Sequence, residues 1–336
     1  MTPARNTCMR RAACTLLASA FAATLALSSP IALAREGNRT KPIKLLVGFS
    51  PGGGTDVVAR YLADKLREEL HRSVIVENRP GAGGQVAAQA LKAAPKDGST
   101  LFFTNDHTIS IIPLVMKQPG FNTSRDFTPV AGVAIYVSAL FTGAGTPVKS
   151  YAEYIRWVHD KQAGKGSVGI PAPASLPEFM TIAIGARNTL DLTPVPYKGA
   201  APMLGDIMGN QILAGISSLN DVLESQKAGK INVLAVSGRQ RHAGVPDTPT
   251  FSELGVPGFE ESPFYAIYAP QGIPPDEAAA FSQAMQKVLA RPEVRERMVS
   301  LGLIPQYLNP EQMRQREQTY AQTWGKLIKD SGYQPQ

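Results

Sequence analysis

Residues 43–60 read IKLLVGFSPGGGTDVVAR, an apolar strand that runs through three glycines directly into a helical pattern. Because Gly52, Gly53 and Gly54 carry no Cβ, the turn can adopt positive φ angles and a ligand can approach its N–H groups closely. The unpaired N–H groups and the positive end of the helix dipole then face whatever lies above the turn. The stretch therefore predicts a site for a carboxylate or phosphate, with a tight turn that binds nothing as the alternative.

The helix that follows is expected over residues 55–71, with Thr55 as its N-cap, because a threonine hydroxyl can accept a hydrogen bond from the first turn. Its apolar positions fall on one stripe and its charged residues on the opposite face. Nucleotide patterns do not fit this turn. No lysine follows Gly54 as a Walker sequence requires, and Val57 stands where a dinucleotide pattern has its third glycine.

The N-terminal segment has the pattern of a secretory signal peptide. Arg5, Arg10 and Arg11 precede an apolar run over residues 12–27, and an Ala-Leu-Ala sequence ends at Ala34. The run is short for a membrane span. We therefore expect cleavage after Ala34 and a mature chain in the periplasm.

Composition narrows the class of protein further. Both cysteines, Cys8 and Cys14, lie in the leader, so the mature chain has no disulfide and no thiolate metal site. The full sequence has 34 Lys and Arg and 27 Asp and Glu. Loss of the leader arginines Arg5, Arg10 and Arg11 lowers the formal net charge of the mature chain to about +4. These cations are scattered, which gives no reason to expect a nucleic-acid partner and suits acidic small molecules.

Short apolar segments alternate with helical patterns along the chain, which predicts a parallel α/β fold. Strands are expected near residues 43–49, 74–78, 100–104, 130–141, 193–196, 211–216, 231–236 and 264–269. Helices are expected at residues 55–71, 84–94, 150–163, 175–187, 200–209, 220–228, 276–290 and 310–330, the last capped by Asn309 before Pro310.

The long apolar segment from Ala131 to Thr142 can leave one sheet and enter another, and a return near residues 231–240 would complete two lobes. We expect lobe I to comprise residues 35–132 and 238–336, and lobe II residues 133–237. Such lobes place a ligand cleft at the carboxyl ends of the strands and can close about their crossings.

Several motifs carry a resemblance to a known family. They are FSPGGGTDVVAR (49–60), VENRPGAGGQ (76–85), DGSTL (97–101), PYKGAAPMLGDIMGNQI (196–212), KAGKINVLAVSGRQR (227–241) and VPDTPTFSELGVPG (245–258). In this order they resemble the Bug-type receptors of tripartite tricarboxylate transport systems, over essentially the whole mature chain.

The resemblance implies an α/β fold of the two-lobed periplasmic-binding-protein type (type II, Venus flytrap). It also implies a monomeric solute-binding protein without cofactor, metal or enzymatic activity, which delivers a small di- or tricarboxylate or aromatic acid to membrane permease subunits. Members of the family hold the carboxylate through backbone amides and ordered water.

The resemblance also implies ligand-facing positions: Phe49, Ser50, Gly53, Gly54, Thr55, Asp56, Asn105, Asp106, His107, Ser175, Tyr197 and Ser217. Asp56 has the alternative role of complementing the helix dipole, because a carboxylate beside an anion site repels the ligand. Lys198 could neutralise a second carboxylate, with an ordinary surface lysine as the alternative. The glycine-rich loop at residues 81–84 either lines the cleft or only shapes its turn.

Two positions depart from the family pattern. Where relatives carry a Gly-Asn-Gly-Ser type of turn, residues 171–175 read PAPAS, so that only Ser175 is kept. Alanine and proline disfavour positive φ, and we expect a stiffer, more apolar wall here. Ser217 stands where an aspartate is common, which disfavours an amino acid as the ligand.

An exported hydrolase that uses the same cleft is the alternative function. The histidines His71, His107, His159 and His242 lie far apart, and none is part of an H-E-x-x-H pattern. A G-x-S-x-G nucleophile elbow is also missing from the sequence. The expected function is therefore capture, in which the glycine turn binds the carboxylate and the second lobe closes on the ligand.

Overall fold

Two sheets organise the part of the chain that the computed structural model describes, residues 41–330 and 333–335. The strands are β1 (Ile43–Val47), β2 (Val74–Asn78), β3 (Thr100–Asn105), β4 (Phe127–Ile135), β5 (Ser138–Gly143), β6 (Lys165–Ile170), β7 (Asp191–Pro196), β8 (Ala214–Ser218), β9 (Ile231–Val236), β10 (Phe264–Pro270) and β11 (Ile304–Leu308). The predicted signal peptide and its cysteines lie outside the described residues.

Helices cover the faces and edges of the sheets. They are α1 (Gly54–Leu70), α2 (Gln85–Lys92), α3 (Ile112–Val115), α4 (Thr123–Asp126), α5 (Tyr151–Lys161), α6 (Leu176–Asn188), α7 (Ala200–Met208), α8 (Leu219–Lys227), α9 (Pro275–Ala290), α10 (Pro292–Ser300) and α11 (Pro310–Asp330), with a 3₁₀ turn at Ala82–Gly84 and a π-helix at His107–Ile111. Within the described ranges, none of these helices combines the length and the apolarity that a membrane crossing requires.

The six-stranded sheet has the order β11-β4-β10-β3-β1-β2, and the five-stranded sheet has the order β7-β6-β8-β5-β9. The α/β class and the two-sheet architecture are therefore confirmed. The purely parallel arrangement is wrong, because β10 runs antiparallel to β3 and to β4, and β5 runs antiparallel to β8 and to β9. The chain enters β5 and β10 directly from the other sheet. Only a parallel neighbour within one sheet needs a helical crossover connection, so these two strands can pair antiparallel.

The chain passes from one sheet to the other between Ile135, the last residue of β4, and Ser138, the first residue of β5. The single strand expected over residues 130–141 is therefore two strands that belong to different sheets. The chain returns between β9 and β10. The lobe boundaries expected from the sequence stay a prediction.

Helix α1 shows how the pattern of the opening stretch becomes packing. Val58, Leu62 and Leu66 are almost fully buried against the six-stranded sheet, whereas Val57 is 37% exposed and leaves the apolar stripe. Each fully buried Val or Leu side chain contributes about 1.5–3 kcal/mol. The stripe thus fixes α1 on the sheet and holds its N-terminus at the carboxyl end of β1.

The two helix caps expected from the sequence have different outcomes. Asn309 is confirmed: its Oδ1 accepts a hydrogen bond from the N–H of Gln312 at 2.9 Å, and the Gln312 side chain accepts from the N–H of Asn309 at 3.0 Å. Thr55 is wrong as a cap, because α1 begins one residue earlier and Gly53 is its N-cap. The buried Thr55 hydroxyl instead lies 3.3 Å from the hydroxyl of Tyr265.

Strands β6 and β11 and helices α3, α4 and α10 have no counterpart in the sequence prediction. β6 reads KGSVGI and carries two glycines, which weaken a strand signal, yet it lies between β7 and β8. β11 contains Pro305, which is tolerated because β11 is an edge strand.

Candidate functional site

A cavity of about 40 Å³ lies where strands of both sheets end, and we name it the inner cavity. It is lined by Phe49, Asn105, Asp106, His107, Tyr136, Ser138, Pro171, Ala172, Ser175, Leu176, Pro177 and Ser218. Phe49 follows β1 and Asn105 ends β3, both in one sheet. Pro171 follows β6 and Ser218 ends β8, both in the other sheet. The carboxyl ends of open α/β sheets are where such folds bind ligands.

His107 is the most exceptional group in this lining. It is 6% exposed, and neither Nδ1 nor Nε2 has a hydrogen-bond partner among the described residues. Burial lowers the pKa of His107 to about 4, so the imidazole is neutral at pH 7. Buried polar groups are nearly always hydrogen-bonded. The two ring nitrogens therefore offer an unused donor and an unused acceptor beside the cavity.

Asp106 connects the cavity to two distant elements. Its carboxylate accepts hydrogen bonds from the hydroxyl of Tyr136, at 2.6 Å, and from that of Tyr320 on α11, at 2.8 Å. Burial raises the pKa of Asp106 to about 6, although both tyrosine hydrogen bonds act in the opposite direction. Tyr136 lies on the crossing between the sheets, so Asp106 ties the end of β3 to that crossing and to the last helix.

The opposite wall is the loop that precedes α6. Ser175 is the N-cap residue of α6, and its hydroxyl donates to the carbonyl of Ala172 at 2.6 Å. Leu176 and Pro177 of the first turn also line the inner cavity. The N-terminus of a 13-residue helix, with its partial positive charge, therefore adjoins the same space as His107.

The expectation that this loop avoids positive φ is wrong. Ala174 has φ of 50°, in the left-handed region, and its N–H donates to the carboxylate of Glu178 at 2.6 Å. That hydrogen bond ties the loop to the first turn of α6 and compensates for a strain of roughly 1–2 kcal/mol.

A second cavity of about 200 Å³, which we name the outer cavity, adjoins the first. The two share Phe49 and Pro171 as lining residues. Its other lining residues are Gly48, Gly81, Ala82, Gly83, Pro173, Pro196, Tyr197 and Lys198. The Tyr197 hydroxyl donates to Asp206 at 2.7 Å, and the Lys198 carbonyl accepts from the hydroxyl of Ser50 at 2.6 Å.

The glycine turn does bind a carboxylate, but that carboxylate belongs to the protein. The N–H of Gly54 donates to Oδ1 of Asp221 at 2.7 Å, across 167 residues of sequence. Asp221 lies in the first turn of α8, and its other oxygen accepts a short hydrogen bond from Ser217. We name the Gly54–Asp221 contact the latch, because it joins the helix after β1 to the helix after β8. Burial raises the pKa of Asp221, against hydrogen bonds from Ser217 and Gly54.

Asp56 stabilises the glycine turn through its hydrogen bonds. It is 3% exposed and accepts hydrogen bonds from the N–H of Gly52 at 3.0 Å, from Arg60 at 3.0 Å and from Asn78 at 2.8 Å. Burial acts to raise the pKa of Asp56, but these hydrogen bonds outweigh it and the pKa is lowered. Asn78 also donates to the carbonyl of Phe49 at 3.1 Å, which fixes the turn to the end of β2.

The predicted site residues thus separate into three groups. Phe49, Asn105, Asp106, His107 and Ser175 meet around the inner cavity, and Tyr197 lines the outer cavity. Ser50, Gly54 and Ser217 take part in the contacts around the glycine turn and the latch. Gly53, Thr55 and Asp56 line neither cavity.

Residues that the sequence analysis missed include Tyr136, Ser138 and Ser218, all in the inner lining. Tyr136 stands where an apolar run changes sheets, and this position was the available signal. Ser138 and Ser218 are paired across β5 and β8, which no local pattern reveals.

Residues 58–333 of this chain match the family described as the tripartite tricarboxylate transporter family receptor. The chain belongs to this receptor family. The Bug-type resemblance is thereby confirmed. The receptor is similar to protein BugT of Bordetella pertussis, with 29% identity over 313 residues that cover 93% of this chain and 95% of BugT.

Solved structures agree. The receptor is similar to the periplasmic binding protein BugD, with a TM-score of 0.83 and 28% identity, over 88% of this chain and 99% of BugD. It is equally similar to the R. palustris protein Rpa4515, solved with adipate, with a TM-score of 0.83 and 29% identity, over 88% of this chain and 99% of that protein. The family is one of receptors, and BugD is a periplasmic binding protein.

Removing the latch carboxylate is expected to open the empty receptor. Asp221→Ala deletes a charge-assisted hydrogen bond to a helix N-terminus, worth about 1.5–3 kcal/mol, so the arrangement in which α1 and α8 are joined becomes less populated. Asp221→Asn keeps an acceptor and should have a smaller effect. Small-angle X-ray scattering should show a larger radius of gyration for Asp221→Ala, and the exposed Asp247→Ala is the control. Superimposable scattering curves for all these proteins would contradict the role of the latch.

Proposed function

We propose that this receptor captures a small organic acid with one carboxylate in the inner cavity and the rest of the molecule in the adjoining outer cavity, and delivers it to membrane permease subunits. The observation that carries the proposal is the unpartnered, buried His107 beside the N-terminus of α6, in a cavity between the two sheets. The periplasm is the proposed location, from the leader pattern and from the periplasmic binding protein BugD. A monomer is the proposed state.

The polar groups of the inner cavity support an anionic ligand. Ser138 and Ser218 bring hydroxyl groups, α6 brings the positive end of its dipole, and His107 brings a ring N–H. Backbone and hydroxyl donors of this kind bind carboxylates without an arginine. Asn105 can add its amide NH2, because within the described residues the hydrogen bonds of its side chain are those that its Oδ1 accepts from Thr108.

The contacts around the glycine turn support capture by closure. The latch and the hydrogen bond between Ser50 and the Lys198 carbonyl connect segments that follow strands of different sheets. A ligand that is enclosed between these segments favours the closed state by its differential affinity for it. The glycine turn therefore has the role of a closure contact in this proposal, while the inner cavity holds the carboxylate of the acid.

The exported hydrolase finds less support. His107 lies in the same lining as Ser138, Ser175 and Ser218, but no hydrogen bond joins its ring to any of them in the described chain. A serine nucleophile requires a base within hydrogen-bond reach. Ser175 donates to the carbonyl of Ala172 instead.

Isothermal titration calorimetry tests the proposal directly. Adipate, malate, citrate, acetate, benzoate and aspartate form the panel, and at least one acid is expected to bind with a dissociation constant of about 1 μM, or roughly 8 kcal/mol. Aspartate should bind more weakly than the other dicarboxylates. Ester hydrolysis in the absence of any binding would support the hydrolase and contradict the receptor function.

A further inference from the structure

We propose that His107 takes up a proton when an organic acid anion enters the inner cavity, so that the receptor binds its cargo together with a proton. This inference rests on the proposed function, because it assigns the charge balance of the same cavity. Among the described residues that line the inner cavity there is neither lysine nor arginine, and Lys198 belongs to the outer cavity. A carboxylate that enters the inner cavity is therefore not balanced by a cation of the same lining.

The position of His107 makes it the group that can respond. Its ring is packed beneath the loop at residues 81–84, where a Cβ added at Gly83 would lie 2.4 Å from Nε2 and 3.4 Å from the Cβ of Ala172. The ring thus packs against the loop at residues 81–84, and Ala172 of the opposite wall lies close to the same loop. With no internal hydrogen bond to lose, protonation leaves two N–H donors, and one or both can bind the carboxylate.

The other titratable groups around this cavity cannot supply the positive charge in place of His107. Asp106 and Glu178 are acids, and their carboxylates are engaged by two tyrosines and by the N–H of Ala174. Tyr136 and Tyr320 donate to Asp106, and burial holds the pKa of both hydroxyls well above the usual value. These groups supply no positive charge.

The charged groups of α11 next to this region are bound elsewhere. Arg316 pairs with Glu261 at 2.6 Å, and Glu317 accepts from the hydroxyl of Tyr268 at 3.1 Å. The 3₁₀ turn Ala82–Gly84 brings no titratable side chain. Imidazole is therefore the group in the lining that can become a cation.

The linkage between anion binding and proton uptake has a defined sign. In the empty receptor burial lowers the pKa of His107 to about 4. A bound anion stabilises the imidazolium and raises this pKa. Between the two values binding consumes protons, so affinity increases as the pH falls, by up to about tenfold per pH unit for one proton. Asp106 contributes in the same direction, because a nearby anion raises its pKa as well.

Proton-linked calorimetry with adipate provides the test. At pH 6.5, the binding enthalpy in buffers of different ionisation enthalpy gives the number of protons taken up, and we expect at least about 0.5 per adipate for the unaltered receptor. His107→Asn keeps a polar side chain that does not titrate and should lose at least half of this uptake. His159→Asn, at an exposed position, should leave it unchanged.

NMR keeps the test decisive even if His107→Asn fails to fold. One of the four imidazole signals should titrate near pH 4 in the empty receptor and at about pH 6.5 or above with adipate, which is the shift that an uptake of about 0.5 protons at pH 6.5 requires. Adipate binding without proton uptake, or with equal uptake in His107→Asn, overturns the inference and leaves the receptor function standing. If no acid of the panel binds, both are overturned.

Discussion

Gly54→Val is expected to weaken binding of the cargo acid at least about 100-fold, or roughly 2.7 kcal/mol, while leaving each sheet folded. A Cβ at this position would lie 2.1 Å from Nδ2 of Asn220 and 2.6 Å from Oδ1 of Asp221, both on α8. Those side chains can move only by giving up their partners: Asp221 leaves the N–H of Gly54, and Asn220 leaves the hydroxyl of Tyr265. The branched side chain therefore opposes closure.

Calorimetry with the tightest acid of the panel measures the effect, and the scattering radius of gyration shows whether the receptor stays open. Gly205→Ala is the matched control, because a Cβ there meets nothing within 4 Å and Gly205 also lies in a helix. The neighbouring Gly53 is not equivalent, since a Cβ there stays 3.6 Å from the nearest atom. If Gly54→Val binds as tightly as the unaltered receptor, closure does not depend on the latch.

As the pH rises, the free energy of unfolding of the unaltered receptor is expected to fall by about 3 kcal/mol through the ionisation of Asp106, and Asp106→Asn is expected to remove this fall. The folded pKa of Asp106, about 6, is above its ordinary value of 3.8. The stabilising contribution of the protonated acid is therefore complete below pH 3.8 and is lost as the pH rises through 6. Asparagine cannot ionise; its single oxygen can still accept from one of the two tyrosines, which donate to different oxygens of Asp106, and its NH2 group faces the other hydroxyl.

Urea unfolding at pH 4 and pH 7.5 gives the measurement, taken as the difference between the two proteins. Glu317, with its pKa raised to about 7, has a pH dependence of the same sign, and His242, with a lowered pKa, has the opposite sign. The contributions of Glu317 and His242 are the same in both proteins, so they cancel in the difference. Asp64→Asn, at a surface position, should show no such change. A constant difference between Asp106→Asn and the unaltered receptor at the two pH values would contradict a buried, ionised Asp106.

Local patterns predicted the elements whose signals are local. The strand, glycine turn and amphipathic helix of residues 43–60 lie where expected, and Asn309 caps α11 through a hydrogen bond only three residues away. These features depend on neighbours within one or two turns of the chain. The positions Asn105, Asp106 and His107 come instead from the family resemblance, and the structure places them at the carboxyl end of β3, in the lining of the inner cavity.

Contacts between distant segments could not be predicted in this way. The glycine turn predicts a bound carboxylate from a ligand, but the carboxylate that it binds belongs to Asp221, on the helix after β8 of the other sheet. No sequence pattern near residue 54 indicates this partner. Tyr320 is 214 residues from Asp106. The positive φ of Ala174 depends on a hydrogen bond to Glu178, so tertiary context overrode the backbone preference of alanine.

Trp324 on α11 gives the molecule an optical reporter of its own. Its ring contacts Tyr320, at 6.0 Å between centroids, and Phe179 of α6, at 5.8 Å. One tryptophan thus touches the helix that begins at the cavity wall and the tyrosine that holds Asp106. When those two neighbours separate, the indole changes its surroundings, and its emission spectrum follows the motion without any attached dye.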